Sequence, residues 1–318
     1  YQPLRDSRSL FLPLRQQRYH LRMWGRPEDV TPERPALWLM HGWMDCGASY
    51  QFLVDELERL DGKDGEEGPQ RCILAPDWRG FGLSEGAAVD SYWFADYLGD
   101  LDALLRHPEL GLADRGPVDL VGHSMGGNVV MLYAGVRPQR IRRLINLEGF
   151  GMPATRPSQA PGRLAKWMDD LKALHRGELD LKAYDDAAGV ARRLMKTNPR
   201  LGQDRAEWLA REWAAPRVQP DGTTKWQIQG DPAHKIINAQ LYRVDEVLEI
   251  YRRITAPTLA VEATDDSLGQ WWQGKYTLDE YHERLKAVPD CRIAVVQDAG
   301  HMLQHDQPEA LAALIEEF

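Results

Sequence analysis

Val121-Gly122-His123-Ser124-Met125-Gly126-Gly127 places one serine among glycines, between the apolar run Pro117-Val118-Asp119-Leu120-Val121 and a stretch of helical spacing that lasts until Pro138. A short β-branched run reads as a buried strand and the following stretch as a helix, so Ser124 stands at a strand-to-helix turn. That turn forces its central residue into a strained conformation, and glycine at 122 and 126 lets the backbone segments pass closely. Ser124 then projects from the strand tip over a helix amino end, whose free N–H groups favour a developing anion. A five-residue pattern recurs by chance, so its meaning depends on the residues around it.

Working outward, the runs Leu10 to Leu14 and Tyr19 to Trp24 predict a hairpin, and Ala36 to Met40 a short buried strand ending in His41-Gly42. Ser49 is expected to cap a helix with Phe52, Leu53, Leu57 and Leu60 on one face, followed by a charged loop from Asp61 to Gln70. Cys72 to Pro76 reads as a strand, Tyr92 to Leu105 as an amphipathic helix, and Ile141 to Leu147 as a strand with Glu148 just beyond it. Apolar strands that alternate with helices imply a mostly parallel sheet covered on both faces.

The alternation stops at Phe150. From Met152 to Ile254 the chain turns helical and amphipathic, with Pro153, Pro157 and Pro161 at its entry, Pro216, Pro220 and Pro232 inside it, and Trp167, Trp208, Trp213 and Trp226 along it. The αβ pattern resumes with a strand over Pro257 to Ala263, a helix near Leu278 to Val288, a strand over Arg292 to Val296 and a helix from Pro308 to Phe318. The expected architecture is an α/β core of residues 1–151 and 255–318, with a helical cap of residues 152–254 lying over the sheet as a lid.

A formal charge of −9 with no basic run argues against a nucleic-acid partner, because phosphate binding needs clustered Lys and Arg. Three cysteines without C-x-x-C spacing indicate neither a disulfide framework nor a zinc site. Tyr1 to Leu21 contains no continuous apolar segment, so no membrane contact and a cytoplasmic location are expected.

A serine hydroxyl attacks at neutral pH only with a base to take its proton and an acid to orient that base. His301, after Gln297-Asp298-Ala299-Gly300 at the end of the last strand, is the expected base, since functional groups of open α/β sheets gather at the carboxyl ends of strands. His123 fills space beside the nucleophile. His305 would pair with His301 as a metal ligand only on a helix with a third ligand, and this segment reads as loop, so no metal is expected. Two carboxylates compete as the acid: Asp266, beyond strand Thr258 to Ala263, and Glu148. Asp265 reads as a solvated neighbour. The Trp43 N–H, after His41-Gly42, and the Met125 N–H are expected to hold an oxyanion.

Taken in chain order, His41-Gly42-Trp43, Asp77-Trp78-Arg79-Gly80-Phe81-Gly82-Leu83-Ser84, Gly122 to Gly127, Pro257 to Val261 followed by Asp266, and Gly300-His301 resemble the motifs of the α/β-hydrolase fold superfamily. The resemblance covers nearly the whole chain. It implies an eight-stranded, mostly parallel sheet, a cap between the sixth and seventh strands, and hydrolysis through an acyl-enzyme without a cofactor. Members usually have glycine where Ala263 stands, with the acid three residues later, which favours Asp266; some carry the acid after the sixth strand, where Glu148 stands. A serine nucleophile separates the chain from the haloalkane dehalogenases and epoxide hydrolases, and the lack of a Gly-Gly-Gly loop from the lipases that use one.

The resulting expectation is a serine hydrolase, a carboxylesterase acting on a small or medium apolar acyl ester, with His41, Gly42, His123 and Trp78 beside the substrate. Trp43, Trp78, Trp93, Trp271 and Trp272 suggest an aromatic pocket. Carbon–carbon hydrolases of ring-cleavage products and cofactor-free perhydrolases use the same constellation, and a ligand receptor on this scaffold is a third reading.

Overall fold

Strands form where short apolar or β-branched runs send alternate residues to opposite faces, each face burying against a different partner. Leu37 and Leu39 pack with Val121, Ile145 and Val261 on one side of the sheet, while Trp38 and Met40 pack with Leu120, Leu144 and Ala260 on the other. The computed structural model describes residues 1–63, 70–86, 90–219 and 221–318. Its strands are β1 (Arg8–Leu14), β2 (Gln17–Trp24), β3 (Leu37–Met40), β4 (Ile73–Pro76), β5 (Val118–His123), β6 (Ile141–Leu147), β7 (Ala183–Tyr184), β8 (Ala214–Val218), β9 (Thr224–Ile228), β10 (Thr258–Ala263) and β11 (Cys291–Val296). Helices are α1 (Gln51–Lys63), α2 (Phe94–Leu105), α3 (Met125–Val136), α4 (Ala160–His175), α5 (Ala187–Thr197), α6 (Gln203–Trp213), α7 (Val244–Tyr251), α8 (Ser267–Trp272), α9 (Leu278–Leu285), α10 (Leu303–Asp306) and α11 (Pro308–Glu317).

The main sheet has eight strands in the order β1-β2-β4-β3-β5-β6-β10-β11. Only β2 runs against its neighbours; the pairings from β4 to β11 are parallel. Helices α1 and α11 cover one face through Leu53, Leu57, Leu311 and Ile315, and α2, α3, α7 and α9 cover the other through Leu104, Val130, Tyr251 and Tyr281. The inner strands β3, β4 and β5 are therefore buried on both faces, as their apolar sequences require. Among the described residues no helix is long and apolar enough to cross a membrane.

Four local expectations are corrected. The segment between β6 and β10 is not purely helical: β7, β9 and β8 form a three-stranded antiparallel sheet in it. Its hairpin turns at Asp221-Gly222, with Gly222 at φ +82° and the Gln219 N–H donating to Thr223 O at 2.7 Å. Asp-Gly between two paired runs is a hairpin signal, and Pro216 is tolerated because β8 is an edge strand. Ser49 does not cap α1. It lies in a 3₁₀ turn before that helix, and its Oγ bonds His305 Nε2 at 2.6 Å. The charged loop begins later than expected, since α1 runs to Lys63; residues 64–69 of it, like Pro220, lie outside the described residues. His305 sits on the one-turn helix α10 rather than in a loop.

Candidate active site

Ser124 joins β5 to α3 with φ 53° and ψ −115°, a conformation that side chains rarely adopt. The surroundings enforce it. A Cβ on Gly122 would lie 2.4 Å from Gly126 O, and one on Gly126 would lie 2.2 Å from Met40 O, so glycine is required at both positions. A Cβ on Gly42 would sit 3.2 Å from Ser124 Cβ, which places the His41-Gly42-Trp43 turn directly against the serine. The N–H groups of Trp43 and Met125 find no protein acceptor among the described residues.

His301 Nδ1 meets Glu148 Oε2 at 2.8 Å. Glu148, the residue after β6, adopts a left-handed conformation with φ 50°, is only 2% exposed, and its second oxygen accepts the Ala263 N–H at 2.9 Å. Asp266, preferred as the acid from the sequence, is exposed and turned away: its Oδ1 accepts the Gly269 N–H at 2.7 Å and caps α8. The correction has a simple cause, because α8 begins at Ser267 and its unpaired N–H groups take the nearest carboxylate. Asp265 pairs with Arg200 at 2.7 and 3.2 Å.

Burial lowers His301 to about 3 and raises Glu148 to about 7, because each loses water that would solvate its charge. The imidazole is thus neutral near neutrality, donating Nδ1–H to Glu148 and leaving the Nε2 lone pair free to accept a proton. Its position is reinforced from two sides. Trp271 packs edge-on against the ring with centroids 4.3 Å apart, and His123 Nε2–H donates to His301 O at 2.7 Å.

The residues expected beside substrate lie instead behind the site. His41, His123 and Trp78 are buried, and with Gly42 they stand outside the lining of the cavity next to Ser124. His41 Nδ1–H donates to Gly42 O at 2.7 Å and its Nε2 accepts the Trp78 N–H at 2.8 Å, while the Trp78 indole donates to His41 O at 3.0 Å. Burial takes His41 down to about 4, which suits this acceptor role. These side chains brace the Trp43 turn, a task that only strand-end sequence could have suggested.

The cavity measures about 560 Å³ and reaches Ser124, Met125 and Glu148 at its floor. Trp43, Trp93, Trp271 and Trp272 line it, with Phe94, Leu98, Leu132 and Phe150 from the core and Tyr242, Val247 and Ile250 from the segment between β6 and β10. That last set was not anticipated; the amphipathic spacing of α7 is the signal that could have found it. The cavity can therefore take an apolar group beside the Ser124 hydroxyl.

A profile of the α/β-hydrolase fold family matches residues 35–308. The chain is 24% identical over 300 residues to a serine hydrolase-like protein of Danio rerio, covering 90% of this chain and 81% of the relative. It is 26% identical over 262 residues to a 2-hydroxymuconate semialdehyde hydrolase of Pseudomonas putida, covering 78% and 76%. Among solved structures it is similar to the thioesterase domain from the curacin biosynthetic pathway, with a TM-score of 0.79, 24% identity and coverage of 98% and 100%. With its eight-stranded sheet and a match over most of its length, the chain belongs to the α/β-hydrolase fold family.

Proposed function

We propose that the protein is a serine hydrolase that cleaves a carboxylic ester of a small or medium apolar acyl group through an acyl-enzyme. The observation that carries this reading is the His301–Glu148 contact beside the strained Ser124, at the floor of an apolar cavity. Ser124 Oγ attacks the ester carbonyl as its proton passes to His301 Nε2, and Glu148 stabilises the imidazolium that forms. The Trp43 and Met125 N–H groups receive the oxyanion. His301 then protonates the departing alkoxide. A water molecule, deprotonated by the same nitrogen, attacks the acyl-enzyme and frees the acid and Ser124. Glu148 takes the orienting role that the sequence had favoured for Asp266. In this reading residues 152–254 act as a cap over a core of residues 1–151 and 255–318, and Tyr242, Val247 and Ile250 belong to the cap's share of the acyl pocket.

The experiment is covalent labelling with a fluorophosphonate probe, followed by a screen of acyl esters of graded chain length. Labelling lost in Ser124→Ala and ester turnover lost with it support the reading; labelling that persists at another residue overturns it. The similarity to a 2-hydroxymuconate semialdehyde hydrolase favours a second reading, cleavage of a carbon–carbon bond by the same three residues. Ring-fission substrates in the same screen separate the two.

A further inference from the structure

The loop that carries His301 is gripped at both ends by one short stretch of the segment between β6 and β10. Gly300 N–H donates to Asp306 Oδ2 at 2.8 Å, and Asp306 Oδ1 accepts from Asn198 Nδ2 at 2.6 Å. Two residues beyond Asn198, Arg200 holds Asp265 with both terminal nitrogens and reaches Asp298 with Nε at 3.3 Å. Asp298 is the point where the chain leaves β11, in a left-handed conformation with φ 51°. The Asp265 N–H in turn donates to Ala299 O at 3.0 Å, so Arg200 and Asn198 between them tie residues 298, 299, 300 and 306. A related tie reaches the Trp43 turn, where the Trp213 indole donates to Met44 O at 2.8 Å.

We propose that Asn198 and Arg200 are positioning residues for His301: through Asp306, Asp265 and Asp298 they set the loop so that the imidazole stands between Glu148 and Ser124. The proposal rests on the reading of His301 as the base. Its physical basis is that a base displaced by a fraction of an ångström loses much of its effect, and Asn198 and Arg200 add polar ties at residues 298, 300 and 306 to the contacts that Trp271 and His123 make with His301 itself. Arg200 is the sharper case, since its planar fork spans two carboxylates that flank the loop, one on each neighbouring strand end.

The test uses Asn198→Ala, Asn198→Asp, Arg200→Ala and Arg200→Lys in the full chain. Steady-state hydrolysis of p-nitrophenyl butanoate gives kcat and KM, and the Nδ1 proton shared by His301 and Glu148 is followed as a downfield resonance that Glu148→Gln removes. The two alanine variants are expected to lower kcat about tenfold with KM within twofold, and to shift or broaden that resonance. Arg200→Lys, which keeps the charge and loses the fork, restores only part of the rate, whereas Asn198→Asp, which sets a second carboxylate against Asp306, costs more than Asn198→Ala. An unmoved resonance with wild-type kcat in both alanine variants overturns the proposal, as does a rate loss that Arg200→Lys does not relieve. The resonance reports on His301 whether or not the ester turns over, so failure of the hydrolase reading shows separately, as labelling that survives Ser124→Ala.

Discussion

Glu148 and His301, 153 positions apart in the chain, meet at 2.8 Å across the carboxyl end of the sheet. Glu148 gets there because β6 lies between β5, which delivers Ser124, and β10, whose Ala263 N–H holds the other carboxylate oxygen. The carboxylate is thereby fixed by the sheet itself, and the imidazole comes to it on a loop.

If Glu148 orients the base, Glu148→Gln lowers kcat by roughly ten thousand-fold, on the scale known for removing the acid from such a triad. Asp266→Asn leaves kcat within a few-fold and costs about 1 kcal/mol or less of stability, because an asparagine still caps α8. Parallel measurement of kcat and thermal unfolding for the two variants checks both halves.

The acid limb of kcat/KM is expected close to pH 7. Base catalysis needs His301 neutral and Glu148 ionised, and burial holds Glu148 up to about 7 while pushing His301 down. Activity therefore rises with pH through that region, with an apparent midpoint that belongs to the pair rather than to either residue. A profile flat from pH 5 to 8 contradicts this.

The same shift has a stability consequence. Glu148 binds its proton more tightly folded than unfolded, so its contribution is greatest below the ordinary value of 4.5 and is lost as the pH climbs through about 7. Glu148→Gln is therefore expected to stabilise the protein at pH 8, by up to about 3 kcal/mol, and to do little at pH 4.5. Denaturant unfolding at the two pH values measures it. Stabilisation alongside lost activity marks the group as held at a cost to the fold.

Gly126→Ala should be among the most damaging small substitutions in the chain. Its methyl group would meet Met40 O at 2.2 Å and His41 O at 2.6 Å, backbone atoms that cannot yield as a flexible side chain would. A loss of about 1–3 kcal/mol is expected, together with slowed labelling of Ser124 as the turn opens. Thermal unfolding and labelling rate are read on the same samples.

Trp271→Ala removes both cavity wall and the edge contact with His301. The preferred acyl chain is expected to lengthen by a few carbons, and kcat for short esters to fall several-fold as the imidazole gains freedom. A chain-length series with the variant and the parent chain shows whether the optimum moves.

Much of this molecule could be read before its structure was seen. Runs such as Leu37–Met40 and Ile73–Pro76 have no polar face, so they had to be interior strands, and Gly122 and Gly126 around Ser124 announced a turn with backbone crossing close by. The partner of His301 could not be read in the same way. Glu148 and Asp266 each follow a strand, β6 and β10 are neighbours, and spacing along the chain says nothing about which side chain faces a loop arriving from β11. A signal did exist at Asp266, which precedes the short helical run Ser267 to Trp272 as a capping residue does. His41 and Trp78 misled for another reason: polar atoms near a nucleophile suggest substrate, yet theirs are consumed by each other and by the backbone they support.

Phe52 belongs to α1, a helix of the core, but its ring is buried among Val190, Leu209 and Ala214 of the segment between β6 and β10. Excising that segment would strip a core helix of its cover, so the two parts should unfold cooperatively, in one transition rather than two. It follows that the segment cannot swing as a free flap across its whole width. By contrast, Leu164 and Met168 on α4 of the same segment are exposed.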